Sequence, residues 1–131
     1  MRKILIASAF SILFFFSSGA YAANDLTQCN SYAQDANSQL PMQMDAATIW
    51  TGVQCLASKQ GIVARYSYAL LLPEDQVTPS IVEAAVADGL HNSWCTTPEL
   101  RQLLDDMSIE AAYSFQNGKY ITSIRVSKDL C

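Results

Sequence analysis

Four cysteines behind an apolar leader do most to limit what this chain can become. Arg2 and Lys3 open the chain with positive charge, Ile4 to Phe16 is apolar and uncharged, and Ser17-Ser18-Gly19 breaks the run. Ala20-Tyr21-Ala22 then places small residues where a signal peptidase needs them. Residues 1–22 thus read as a signal peptide and residues 23–131 as a single exported domain. The apolar run is well short of the ~20 residues that span a bilayer, so no stable membrane insertion is expected after cleavage. An uncleaved anchor reaching Ala23 is the competing reading. No cysteine directly follows the cleavage site, so the lipid attachment of a bacterial lipoprotein is not expected either. Cys29, Cys55, Cys95 and Cys131 all lie in the mature part. An oxidising compartment, periplasmic or extracellular, favours pairing them.

Four cysteines allow three connectivities, and sequence alone does not choose. Cys29–Cys55 with Cys95–Cys131 is favoured, because each bridge then joins a helical segment to a strand nearby in the chain. Closed loops of that size contribute roughly 3–4 kcal/mol each in the chain-entropy picture. That is a large share of a typical total of about 5–15 kcal/mol. Bracing suits a mature chain of 109 residues, enough for one modest core. A zinc site is the rival use of the sulfurs, but no Cys-x-x-Cys or His-x-x-x-His pair occurs. No metal and no cofactor are expected.

Charge narrows the partners. Without Arg2 and Lys3, six basic residues stand against twelve acidic ones, a net charge of six minus twelve, or −6. That opposes nucleic-acid binding, which phosphate neutralisation dominates, and adhesion to anionic lipid.

Hydrophobic spacing organises the mature chain. Leu26, Cys29, Tyr32, Ala33, Ala36 and Leu40 recur at helical intervals, predicting a helix that stops before Pro41. Thr48 to Ala57 alternates Ile49, Thr51, Val53 and Cys55 on one face, and Ile62 to Leu72 alternates Ile62, Ala64, Tyr66, Tyr68, Leu70 and Leu72. With Lys59-Gln60-Gly61 between them they predict a hairpin; helical continuity from Asp45 to Ala57 competes. Thr78-Pro79 and Thr97-Pro98-Glu99 are helix-start signals. The first leads into Ile81, Val82, Ala85, Val86 and Leu90, with Gly89 weakening the end. The second opens a stripe of Leu100, Leu103, Leu104 and Met107. A second hairpin sets Ile109, Ala111, Tyr113 and Phe115 against Tyr120, Thr122, Ile124 and Val126 across Asn117-Gly118. The expected fold is α+β, order α-ββ-αα-ββ: a four-stranded antiparallel sheet of two hairpins with about three helices packed on it.

Catalytic machinery is hard to find. The single histidine, His91, has Ser93 nearby, but positions i and i+2 of a helix do not face each other, and a bridged Cys95 is no nucleophile. Asp105-Asp106 and Glu74-Asp75 are adjacent along the chain, whereas acid–base pairs must converge across a cleft. No phosphate loop, Gly-x-Gly-x-x-Gly or His-Glu-x-x-His motif occurs. No enzyme is expected. The aromatic residues are the better lead. Tyr66, Tyr68, Tyr113 and Phe115 either fill the core under the helices or line a groove that accepts an amphipathic helix or extended peptide. Trp50 and Trp94 suit either role.

The runs "ARYSYAL", "LHNSWCTTPELRQLLDD" and "AAYSFQNGKYITSIRVSKDLC" carry a shared grammar. It consists of a Tyr-rich strand, a Cys before a Pro-started helix, an aromatic strand, an Asn-Gly turn and a final Cys. Over residues 46–131 the chain resembles small exported bacterial α/β proteins. These include the quorum-sensing-regulated virulence factor family and the α/β type of type II secretion pilotin. The resemblance implies an antiparallel sheet with helices, a Cys95–Cys131 disulfide and no catalytic residues. In the pilotin branch it implies a groove that binds a secretin's C-terminal segment. The expectation is a periplasmic or secreted, non-enzymatic module in envelope or virulence biology. Its partner would be another envelope or secreted protein, such as a secretin-like peptide segment. The alternatives are an inhibitor or immunity protein of an exported toxin, with Pro73 to Pro79 as its exposed loop, and a small hydrolase using His91.

Overall fold

The computed structural model describes residues 26–59 and 61–131, so the expected signal peptide lies outside the described residues. The chain runs α1 (Leu26–Asn37), β1 (Met42–Asp45), β2 (Thr48–Ser58), β3 (Gly61–Leu70), α2 (Pro79–Thr96), α3 (Pro98–Leu103), β4 (Met107–Phe115) and β5 (Tyr120–Val126). Single 3-10 turns occupy Glu74–Gln76 and Lys128–Leu130.

The expected α+β class and three helices are present, but the sheet is five-stranded and mixed, in the order β1-β2-β3-β4-β5. Two features correct the four-stranded antiparallel expectation. β1 is an added edge strand, pairing Met42 with Trp50; its Met-Gln-Met-Asp sequence lacks the β-branched residues that mark strands. β3 and β4 are parallel, Ile62 beside Met107 through Leu70 beside Phe115. The two hairpins are joined by α2 and α3, and a helical crossover returns the chain to the end it left, so the second strand enters in the same direction.

Two bulges re-aim side chains. Between Trp50 and Gly52 the β2–β3 register shifts. The core face of β2 is therefore Thr48, Trp50 and Val53 rather than Ile49, Thr51 and Val53; a glycine in a strand often marks such a bulge. Across β4–β5 the register shifts between Tyr113 and Ser114. Gly118 takes φ +92°, while the Phe115 N–H donates to the Lys119 carbonyl at 2.8 Å. That leaves a three-residue loop with its last residue left-handed, which builds a bulge into the hairpin. Tyr120 consequently leaves the row of Thr122, Ile124 and Val126, faces Ser114 and is 62% exposed.

α1 packs on β2 and α2 on β5, both on the face that carries Tyr66. α1 buries Cys29, Tyr32, Ala33 and Ala36 of the expected stripe, while Leu26 is half-buried and Leu40 lies beyond the helix end. α2 starts at Thr78, whose Oγ1 accepts from the Ile81 N–H at 3.3 Å. It runs through Gly89 without a break and buries Val82, Val86, Leu90 and Trp94. The bridges are Cys29–Cys55, tying α1 to β2, and Cys95–Cys131, tying the last turn of α2 to the segment after β5.

Candidate partner-binding site

The four aromatic residues singled out in the sequence come together on the helix-covered face. Tyr66 is 2% exposed, Tyr68 8%, Tyr113 4% and Phe115 8%. Tyr66 is central: Trp50 stacks against it at 5.8 Å, Trp94 meets it edge-on at 6.3 Å, and its hydroxyl lies 2.7 Å from that of Tyr32. Trp50 and Trp94 are buried with it. This cluster is core, between α1 on one side and α2 on the other.

Tyr68, Tyr113 and Phe115 lie further along, towards the end at which the parallel strands β3 and β4 finish. Tyr68 and Tyr113 are cross-strand neighbours, with ring centroids 5.2 Å apart and planes 21° from parallel. Burial pushes the Tyr68 hydroxyl pKa well up, and the neighbouring Tyr113 and Tyr66 add to it. Burial also raises Tyr113, and the Asp45 carboxylate adds to the shift by repelling its phenolate. Both hydroxyls are therefore neutral donors at ordinary pH.

Three connections surround this end of the sheet. β1 ends on Asp45, whose Oδ1 accepts from the Ala47 N–H in the β1–β2 turn at 2.7 Å. The Leu71 N–H donates to the Ala47 carbonyl at 2.8 Å, fastening the chain after β3 to that turn. Glu74 fastens the same chain to the second hairpin: Asn117 Nδ2 donates to Oε2 at 2.8 Å and Lys119 Nζ to Oε1 at 3.2 Å. These two bonds hold the Glu74 carboxyl below its usual pKa. Loops at the carboxyl ends of parallel strands are where α/β sheets commonly take ligands.

The residues weighed for chemistry occupy other roles. His91 is half-buried in α2 together with Ser93, and Cys95 is bridged. Glu74 braces the loop just described, and Asp105 pairs with Lys128 at 3.0 Å. Among the described residues no group of three His, Cys, Asp or Glu side chains could hold a metal, and no helix is long and apolar enough to cross a membrane.

Sequence reading missed three features. Asn37 bonds both backbone groups of Val53. On the sheet face away from Tyr66, Arg65 Nε donates to Glu110 Oε1 at 2.6 Å, a pairing visible only once β3 and β4 are known to be parallel neighbours. A cleft of about 540 Å³ lies at the other end of the sheet, between Leu104–Ser108 and Arg125 with Ser127–Leu130.

The sequence matches no protein-family model and no curated protein. Solved structures do match in fold. A candidate secreted protein of Pseudomonas aeruginosa superposes with TM-score 0.67 at 12% identity, over 86% of this chain and 96% of that one. The type II secretion pilotin EpsS of Vibrio vulnificus gives 0.61 at 13%, over 81% and 90%. The pilotin AspS of Vibrio cholerae gives 0.54 at 17%, over 86% and 100%. This chain is thus similar in fold, along most of its length, to type II secretion pilotins and to an exported-protein candidate.

Proposed function

We propose that this protein is an exported, non-catalytic binding module of the pilotin kind. It would engage an envelope protein at the end of the sheet formed by Tyr68, Tyr113, Phe115 and the connections around them. The observation that carries the reading is the fold likeness to two pilotins, which takes in 90% and 100% of their lengths. The chemistry of the site supports it. Tyr68 and Tyr113 form a buried, uncharged floor at this end of the sheet, and the exposed Glu74–Gln76 turn beside them is the surface a peptide would meet first. Braced loops lose little freedom when a partner docks. A secretin C-terminal segment is the partner class that the pilotin resemblance brings to this chain, with export to the periplasm or beyond.

The test is a fluorescence anisotropy titration of the mature, disulfide-intact protein against a labelled peptide. The peptide is the C-terminal segment of the secretin encoded in the same genome. The reading expects saturable one-to-one binding, weakened by Tyr113→Phe in a protein of unchanged circular dichroism. No binding by folded protein contradicts it.

A second reading draws on Glu74. The 3-10 turn Glu74–Gln76 is exposed and yet fixed to Asn117 and Lys119, as a loop presented to a target enzyme would be. An inhibitor predicts a stable complex with one exported enzyme, lost when residues 74–76 are replaced by glycines.

A further inference from the structure

The two disulfides sit in different surroundings. Cys29 is 0% exposed inside the core, and its bridge to the half-buried Cys55 crosses the α1–β2 interface, so this bridge has no exposed cysteine. Cys131 is exposed and Cys95 half-buried. Their bridge is also what fixes one wall of the 540 Å³ cleft, because Ser127–Leu130 forms that wall and leads directly into Cys131. Two side-chain ties also cross the cleft, the Lys128–Asp105 pair, with side chains 59% and 51% exposed, and an exposed bond from Arg125 Nη2 to Ser108 Oγ at 3.2 Å. Pairs that open to water hold little. The opposite wall and floor include Leu104 and Met107, 3% and 5% exposed.

We infer that Cys95–Cys131 is a redox-releasable clasp: a dithiol reduces it before Cys29–Cys55, freeing residues 127–131 and opening the cleft onto Leu104 and Met107. Access decides which bridge reacts first. A thiolate of the dithiol attacks the exposed Cys131 Sγ, forming a mixed disulfide and expelling Cys95 as thiolate, which takes up a proton. The dithiol's second sulfur, as thiolate, then attacks the dithiol sulfur bonded to Cys131, and Cys131 leaves as a thiolate that takes up the proton the second thiol gave up. The dithiol leaves as a disulfide, and its two electrons reside in the two protein thiols. The sheet and α1 keep their own bridge throughout, so the event is a local opening.

The experiment treats mature protein with limiting dithiothreitol without denaturant, then alkylates it and maps modified cysteines by mass spectrometry, with amide exchange in parallel. Cys95 and Cys131 are expected to be alkylated about tenfold faster than Cys29 and Cys55, in keeping with access control. Exchange should rise over residues 104–108 and 127–131 while β2 and β3 stay protected. The double variant Cys95→Ser/Cys131→Ser should show the same exchange pattern in an otherwise folded protein. Any of three results overturns the inference: simultaneous reduction of both bridges with loss of tertiary structure, earlier reduction of Cys29–Cys55, or unchanged exchange over 104–108 after selective reduction.

Discussion

Asn37 grips Val53 by both ends of its amide: Nδ2 donates to the Val53 carbonyl at 2.9 Å, and Oδ1 accepts from the Val53 N–H at 2.8 Å. β1 covers the outer edge of β2 only from Thr48 to Trp50. Just past the bulge, the last residue of α1 takes over as the hydrogen-bonding neighbour. One side chain thereby satisfies a donor and an acceptor that a sheet edge would otherwise expose. It also fixes α1 against the sheet at the end opposite Cys29–Cys55. Asn37→Ala should destabilise the fold by about 1–3 kcal/mol. Asn37→Asp should cost at least as much, because its carboxylate faces the Val53 carbonyl with nothing to donate. Urea unfolding of the two variants beside wild type measures both.

The buried tyrosine pair gives an alkaline signature. Tyr68 and Tyr113 have folded pKa values above the ordinary value of 10.0, so folding favours their neutral forms. That contribution is complete below pH ~10 and is lost as pH rises towards the folded values, because the unfolded chain ionises first. Phenolate absorbance should therefore show these two rings ionising late, in step with loss of circular dichroism. In Tyr68→Phe/Tyr113→Phe the decline of stability above pH ~10 should be shallower.

Glu74 has the opposite sign. Its pKa is lowered from 4.5 by the bonds from Asn117 and Lys119. The brace is complete above the ordinary glutamate range and lost as pH falls through the lowered value. Amide exchange of residues 73–77 should quicken in that acidic window. Glu74→Gln should speed it already at neutral pH, while global stability stays nearly unchanged, as befits an exposed pair.

Periodicity revealed much of this fold because the core face follows it closely. Met107, Ile109, Ala111, Tyr113 and Phe115 alternate without interruption and are all buried. α1 and α2 bury most of the stripes that their spacing foretells, although Ala85 is exposed and Ile81 and Leu26 are half-buried. What escaped depends on contacts between distant segments. The parallel β3–β4 pairing follows from how α2 and α3 return the chain, and neither strand's residues encode it. The bulges displaced Ile49, Thr51 and Tyr120 because a pattern of period two carries no sign of one added residue. At the candidate site, the identity of the aromatic residues was legible but their burial was not. Tyr66 reads the same in sequence whether α1 and α2 lie on it or a partner does. The braces of Asp45 and Glu74 depend on three connections meeting at one end of the sheet.

The most direct test of the proposed role is amide chemical-shift mapping of the mature protein with and without the secretin C-terminal peptide. Perturbations are expected to cluster at Asp45, Tyr68, Tyr113, Phe115 and the Glu74–Gln76 turn. Shifts confined to the Arg65–Glu110 face or to the cleft by Lys128, or none at saturating peptide, would contradict it.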